Sequence, residues 1–185
     1  MEDNAIKEVI ELCRTTKVPC HIVHLGSGQS VKNLEEAQKS GIKISVETCH
    51  HYLNLSSETI PDANAQFKCC PPIREPWHRE KLWTGLKKGF ISLVVSDHSP
   101  STPDLKSCLN NTLMSAWGGI SSVQFGLPLM WTEAKKRGFT IQDIVQLMSK
   151  NPAKLAKLDN RKGCLRPNFD ADFVVWDPLA ILKLT

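Results

Sequence analysis

Along this chain, segments with the apolar spacing of a helix alternate with short apolar runs typical of strands. In "AIKEVIELCRTT" the apolar Ile6, Val9, Ile10 and Cys13 recur every three or four residues, which predicts an amphipathic helix. The next segment, "CHIVHL" at 20–25, is a short apolar run that ends in the turn residues "GSGQS" and predicts a strand. The chain therefore opens with a helix followed by a strand.

The same order of helix and strand continues through the middle of the chain. "VKNLEEAQKSG" predicts a helix with Ser30 as its N-cap and Gly41 just past its end. Residues 42–49 alternate as a strand, and 78–89 predict a further helix closed by a glycine. Residues 90–96, "FISLVVS", are almost continuously apolar, which is typical of a strand covered on both faces in a parallel sheet.

Helices dominate the region that follows. "ISSVQFGLPLMWTEAKKRG" predicts a helix with a kink at Pro128. Thr140 and Asp143 in "TIQDIVQLMSK" have the spacing of a capping box at the start of another helix. Asn151 and Pro152 predict the N-cap and first turn of one more short helix.

Two β segments complete the pattern. "FKCCPP" at 67–72 predicts a strand stub stopped by its prolines, which gives four strands before the tail. Phe173–Trp176 predicts a strand with no helix after it, so we expect a separate β element. Strands alternating with helices indicate an α/β fold with parallel strands. We therefore expect one domain over 1–159 and the start of a second element over 160–185.

Composition indicates the class of protein but not its reaction. The chain has 185 residues, 41% hydrophobic and 23% charged, which suits a globular domain with a core. The net charge is only +4 and no block of Lys or Arg is present, so we expect no nucleic-acid partner. No apolar run reaches the ~20 residues that span a bilayer, so we expect no membrane partner either.

The cysteines bear on the compartment. There are seven, an odd number, without a CxxC pair and without a secretory signal before them. Free thiols in a reducing compartment fit this pattern best. We expect a cytoplasmic protein, with a peroxisomal or mitochondrial location left open.

Polar residues fall at the ends of the predicted strands. His24 closes the first strand, His51 follows the second, Arg74 follows the third, and Asp97 with His98 closes the fourth. Polar groups at the carboxyl ends of successive parallel strands are the pattern of a (β/α)-barrel active site. Asp97 is the sharpest candidate, because a carboxylate after an apolar strand is costly unless a cation or a donor meets it.

The other histidines leave alternatives open. A cap of loop backbone is an equal alternative for His24, and the pattern alone leaves His21 as a further candidate ligand. Of His50 and His51, we expect at most one to point inward. His78 begins a helix and is expected to be structural or solvated.

Imidazole and carboxylate together suit a divalent metal such as zinc. A metal acidifies its water toward neutrality, and that water is a nucleophile for amide hydrolysis. An aspartate in reach of metal and water can take the attacking proton and pass it to the leaving nitrogen. The pattern thus predicts a His/His/Asp metal site on a barrel rim.

Several motifs in order resemble one family. "HIVHLGS", "ETCHHYL", "FKCCPPIRE" and "VVSDHSPSTPDLK" look like consecutive motifs of the second half of the cyclic amidohydrolases, which include dihydroorotases, dihydropyrimidinases and allantoinases. "WGGISSVQFGLPLMW" and "DADFVVWDP" extend the similarity over nearly the whole chain, and "CPPIRE" with "SDHSPSTPDLK" most resemble allantoinases. The order and spacing of the motifs are more specific than any one of them.

The resemblance implies a distorted (β/α)8 barrel that carries a small β-sandwich and holds two metals, usually zinc. It implies that His24 and His51 are metal ligands and that Asp97 is both a ligand and the general base. It further implies that the substrate pocket is shaped by the loop from Cys69 to Arg74 and by the residues after the aspartate. The substrate-binding candidates are Cys70, Arg74, His98 and Ser99. The implied reaction opens the ring of allantoin, a small cyclic ureide, to give allantoate in purine breakdown.

The departures from the family pattern limit this expectation. The chain contains no His-x-His pair, and no counterpart of the lysine that bridges the two metals. We therefore expect the second half of a barrel, strands five to eight, with at most a partial metal site. His50 stands where proline is usual, and Asn168 stands where glycine is usual but tolerates positive φ well.

Two classes of function stay open. One is an allantoinase-type hydrolase region with impaired activity, with dihydropyrimidinase- or dihydroorotase-like activity as the alternative substrate assignment. The other is a non-catalytic scaffold, assembly partner or relic of such an enzyme. Half a barrel exposes strand edges and apolar helix faces, so we expect a homo-oligomer or a self-associating chain.

Overall fold

Three parallel strands form the sheet in the part of the chain described by the computed structural model, residues 1–107 and 113–181. They are β1 (Cys20–Ile22), β2 (Ile44–Cys49) and β3 (Leu93–Val95), in the order β1-β2-β3. Residues 20–22 of β1 pair in register with 44–46 of β2, and 47–49 of β2 pair with 93–95 of β3. The carboxyl ends of all three strands therefore point toward one edge.

Helices connect and cover these strands. They are α1 (Glu2–Thr16), α2 (Val31–Lys39), α3 (His50–Asn54), α4 (Pro76–Lys87), α5 (Gly126–Lys136), α6 (Ile141–Val145) and α7 (Asn151–Leu155). A π-helical turn, Gln146–Lys150, joins α6 to α7 without a break, and short 3-10 turns punctuate the loops. This alternation confirms the predicted α/β class. No helix within the described ranges is long and apolar enough to cross a membrane.

The core lies between the sheet and the helices that flank it. Helix α1 buries Ile6, Ile10 and Cys13, three of the residues whose spacing predicts it. Ile6 and Ile10 join a single cluster with Val46 of β2 and Met130 of α5. A continuous apolar core that includes both strands and helices is what holds the strand ends in place, because burial of apolar surface dominates folding free energy.

Two predicted strands are wrong. Residues 67–72 form no strand; a 3-10 turn, Ala65–Phe67, leads into an irregular segment that contains a cis peptide bond between Cys70 and Pro71. Phe173–Trp176 is also irregular and largely exposed. Strands need partners for their backbone hydrogen bonds, and β2 pairs directly with β3, which leaves the first segment outside the ladder.

Two predicted helix features are also wrong. Pro128 lies in the first turn of α5. Backbone N–H groups there donate no hydrogen bond within the helix, so the missing N–H of a proline causes no kink. Asn151 is not an N-cap, because the helical run continues through it from α6. Its side-chain Nδ2 instead donates a hydrogen bond to the carbonyl oxygen of Ser92, at the approach to β3.

Other local predictions are confirmed. Thr140 and Asp143 form the capping box, with both reciprocal hydrogen bonds present. Ser30 is the N-cap of α2, although its hydroxyl donates to Asp3 Oδ1 at 2.5 Å rather than capping the helix. Asn168 has φ 67°, so it occupies the left-handed region that its position requires.

Candidate metal centre

The site is built where the strands end. β2 ends at Cys49, and α3 begins with the next residue, so His51 lies in the first turn of that helix. Asp97 follows β3 by two residues and has φ 45°. His24 follows β1 by two residues and has φ 40°. Left-handed backbone costs a residue other than glycine about 1–3 kcal/mol, and such residues cluster at functional sites.

Three side chains meet at this edge. One ligand-type atom from each of Cys49, His51 and Asp97 lies within 4.8 Å of the other two. Cys49 and His51 are buried and Asp97 is exposed, so the cluster has an inner wall and an open side. Within the described ranges this is the group of three or more such residues close enough to share a metal ion.

His51 has the environment of a ligand. Its side chain is buried, 3% exposed, yet neither ring nitrogen has a hydrogen-bond partner. Buried polar groups are normally paired, and an unpaired one costs roughly 1–3 kcal/mol. Burial, with smaller contributions from His50 and His24, lowers the pKa of His51 to about 3. The ring is therefore neutral at physiological pH, which is the form that binds a metal.

Cys49 lies in a buried position near two carboxylates. Its side chain is fully buried, and burial together with the carboxylates of Asp97 and Glu47 raises the pKa of its thiol. A site with two nearby carboxylates and a neutral imidazole attracts a divalent cation. The donor set of sulfur, nitrogen and oxygen is one that zinc accepts. The residues present thus fit a metal.

His24 lies beside the cluster but is not part of it. Its ligand atoms are not among those within 4.8 Å of one another, whereas those of His51 and Asp97 are. Its Nδ1 is nevertheless buried without a partner, and its charge contributes to the lowered pKa of His51. The structure therefore brings together two of the three predicted ligands and places the third next to them.

His98 and Ser99 are held on the loop after Asp97. His98 is exposed, and its Nδ1 accepts hydrogen bonds from the backbone N–H groups of Ser122, at 2.9 Å, and Val123, at 3.2 Å. The Ser99 N–H donates to the carbonyl oxygen of Ile120 at 3.0 Å. Ser99 also lines a cavity of about 820 Å³. A cavity of this size is in the range of small-molecule sites.

Arg74 and Cys70 have different surroundings. The Arg74 guanidinium forms an ion pair with Glu2 Oε2 at 2.6 Å, while Glu2 Oε1 accepts hydrogen bonds from the N–H groups of Gly26 and Ser27. This contact ties the first turn of α1 to the loops at the strand ends. The Arg74 Nε is buried without a partner, and Cys70 is exposed.

The remaining histidines are His21, His50 and His78. His21 is occupied, with Nδ1 2.7 Å from Ser45 Oγ and Nε2 3.1 Å from Glu47 Oε2. His78 is structural as predicted, because its Nδ1 accepts a hydrogen bond from the Gly28 N–H. Both His50 and His51 are buried, and of the two only His51 belongs to the cluster with Cys49 and Asp97.

The buried histidines predict a pH-dependent stability of the metal-free chain. Burial lowers the pKa of His50 and brings that of His51 to about 3, while both rings titrate near pH 6.5 when unfolded. Between those values the unfolded chain binds more protons, so stability falls as pH falls below about 6.5. We expect a loss of up to about 1.4 kcal/mol per pH unit for each ring.

Urea unfolding of chelator-treated protein at about pH 7 and about pH 5.5 measures this loss. The variant H51Q should lose less stability over the same interval, since one of the two rings is gone. Equal losses in wild type and H51Q would show that His51 does not carry the pH dependence.

Comparison with known proteins gives the family. The sequence model of the amidohydrolase family matches residues 1–185. The chain belongs to the amidohydrolase family. It is 54% identical over 158 residues to the protein named mitochondrial allantoinase of Aquarana catesbeiana, covering 85% of this chain and 33% of that protein. It is 42% identical over 187 residues to the allantoinase of Saccharomyces cerevisiae, covering 100% of this chain and 40% of that protein.

Solved structures of amidohydrolase relatives show the same arrangement. The L-hydantoinase (dihydropyrimidinase) of Arthrobacter aurescens superposes with a TM-score of 0.85 at 26% identity, covering 92% of this chain and 38% of that chain. The dihydropyrimidinase of Brevibacillus agri has the same TM-score at 27% identity and the same coverage of both chains. The family resemblance inferred from the motifs is thereby confirmed. This chain spans about two fifths or less of each of these four proteins.

Cys49 is the residue of the centre that the sequence analysis missed. The motif "ETCHHYL" drew attention to its histidines, and buried cysteines are usually packing residues. The available signal was its position as the last residue of a strand, two residues before His51. Alternation along β2 turns the Cys49 side chain to the same face as Glu47. A carboxylate oxygen of Asp97 lies within 4.8 Å of the Cys49 sulfur.

Proposed function

We propose that this chain is part of a metal-dependent hydrolase that opens a cyclic amide, with allantoin as substrate and allantoate as product in purine catabolism. The observation that carries the proposal is the cluster of His51, Asp97 and Cys49 at the strand ends, in a chain of the amidohydrolase family. The two relatives described above, at 54% and 42% identity, are both named allantoinases, which supports allantoin over other cyclic amides.

The chain spans 33% and 40% of the length of those two relatives. We propose that it corresponds to the second half of a (β/α)8 barrel, in which β1, β2 and β3 stand for strands five, six and eight. The superposition on dihydropyrimidinases over 92% of the chain supports this correspondence. The division between a barrel part at 1–159 and a β-sandwich part at 160–185 stays a prediction.

Zinc is the metal that we propose, held by His51 and Asp97, with His24 beside them. When bound, zinc supplies a Lewis acid that polarises the amide and acidifies water. Asp97 lies on the exposed side of the cluster, where its carboxylate can accept the proton of the attacking water. The same carboxyl then donates that proton to the ring nitrogen that leaves. His51 stays neutral throughout, because burial keeps its pKa far below neutrality.

The substrate is proposed to lie between the cluster and the cavity that Ser99 lines. The loop from Asp97 to Ser99 connects the two, and its anchors at Ile120 and Ser122 fix its position. Ser99 and His98 are proposed to face the ureide. Arg74 is proposed to shape the pocket through its ion pair with Glu2, and Cys70 is exposed on the neighbouring segment.

Compartment and assembly are parts of the same proposal. Six of the seven cysteines lie in the described ranges, and all six are free thiols there, which supports a reducing compartment such as the cytoplasm. Apolar side chains of the tail are exposed, among them Leu165, Phe173 and Val175. Self-association through such surfaces stays a prediction.

Allantoin hydrolysis by the purified zinc-loaded chain tests the function. We expect bound zinc and measurable production of allantoate, and slower or no opening of hydantoin and dihydrouracil. In D97N we expect the rate to fall at least about a hundredfold, the low end of what a general base contributes. Zinc bound by a folded chain that opens none of the three rings would instead support the scaffold alternative.

A further inference from the structure

Cys49 places a sulfur atom inside the candidate metal centre. Its Sγ lies within 4.8 Å of ligand atoms of both His51 and Asp97. The residue is the last of β2, where pairing of residues 47–49 with 93–95 of β3 fixes the backbone. The sulfur is therefore held by the sheet itself, while Asp97 belongs to the loop beyond β3.

Other buried cysteines of this chain have a different role. Cys13 donates its thiol hydrogen to the carbonyl oxygen of Val18 at 3.0 Å, and Cys69 donates to that of Pro71 at 3.2 Å. Both thiols thus serve the local backbone. The Cys49 thiol faces a carboxylate and an imidazole with unpartnered nitrogens instead. This difference points to a ligand rather than to a packing residue.

The charges around the sulfur favour a cation. The Asp97 carboxylate lies within 4.8 Å of the Cys49 sulfur, and neither ring nitrogen of His51 has another hydrogen-bond partner. A divalent cation among these groups would compensate the carboxylate and displace the thiol proton. The exposed position of Asp97 gives such an ion a path from solvent.

We propose that the Cys49 sulfur binds the metal directly, so that the centre of this chain is a Cys/His/Asp site for a thiophilic divalent cation such as zinc, cobalt or cadmium. The proposal rests on the proposed metal-dependent function and adds a ligand to it. On binding, the S–H bond breaks, a sulfur–metal bond forms, and the proton leaves to water. Thiolates select such ions over magnesium, which prefers oxygen ligands.

Cobalt(II) titration of the chelator-treated chain tests the proposal by absorption rather than by activity. A sulfur ligand gives a near-ultraviolet thiolate-to-cobalt charge-transfer band, whereas visible d–d bands report cobalt binding through any ligands. We expect both sets of bands in wild type, and no change when magnesium is added in excess. In C49S we expect the charge-transfer band to disappear and cobalt affinity to fall on the order of a hundredfold.

The variant C69S is the matched control, because Cys69 is also buried and lies near enough to affect the pKa of Cys49. It should keep the charge-transfer band. Visible bands without a charge-transfer band in wild type would overturn the role of Cys49 and leave the proposed metal site standing. A band that persists in C49S and disappears in C69S would assign the sulfur to Cys69. Absence of all cobalt bands would overturn the metal site together with Cys49.

Discussion

The variant H51Q is expected to bind zinc about 60- to 700-fold more weakly than the wild-type chain. Structural zinc sites with four ligands provide about 10–16 kcal/mol, so one ligand contributes roughly 2.5–4 kcal/mol. Each 1.4 kcal/mol is tenfold in affinity. His51 is buried and neutral, and its ring nitrogens lack other partners, so its full contribution is available to a metal.

Competition with a chromophoric zinc chelator measures this affinity, and circular dichroism shows whether H51Q folds. The matched control is H21Q, because the nitrogens of His21 already contact Ser45 and Glu47. H21Q should bind zinc within a few-fold of wild type. Equal affinities for H51Q and wild type would place the metal elsewhere and remove the main support of the proposed function.

The sequence predicts those site residues whose positions follow from the alternation of strands and helices along the chain. His51 and Asp97 follow apolar strands, and parallel strands bring such residues to one edge, so their meeting is predictable. His24 also follows a strand, but its ligand atoms lie outside the 4.8 Å cluster, and periodicity along the sequence does not report such distances. Cys49 was missed because buried cysteines are usually core residues, and only its position at the end of a strand, two residues before His51, indicates another role.

The fold shows the same division between local and distant determinants. The capping box at Thr140 and Asp143 is encoded within four residues, and it is present as predicted. The strand predicted at 67–72 fails because pairing of β2 with β3 is a long-range outcome that local β-propensity does not determine. Phe173–Trp176 has the composition of a strand, but no strand of the described residues pairs with it.

The variant W83A is expected to destabilise the chain by about 3–5 kcal/mol, the range for large aromatic residues replaced in cores. Trp83 of α4 is 3% exposed and packs edge-on against Phe139, with ring centroids 5.4 Å apart. Its Nε1 donates a hydrogen bond to the carbonyl oxygen of Leu53 at 3.0 Å. Leu53 lies on α3, the helix that carries His51, so the hydrogen bond from Trp83 supports the position of the proposed metal ligand.

Urea unfolding followed by circular dichroism measures the loss, and the residue Trp77 on the same helix provides the control. Trp77 is 49% exposed, so W77A should cost less than about 1 kcal/mol. Domains of this size are stable by only about 5–15 kcal/mol, so W83A leaves a small margin and should also weaken zinc binding by raising the unfolded fraction. Similar losses for W77A and W83A would mean that the packing of α4 against α3 does not stabilise the chain. A zinc ion at the proposed site would bind only the folded state, so we expect added zinc to recover part of the stability lost in W83A, but less of it in W83A combined with H51Q.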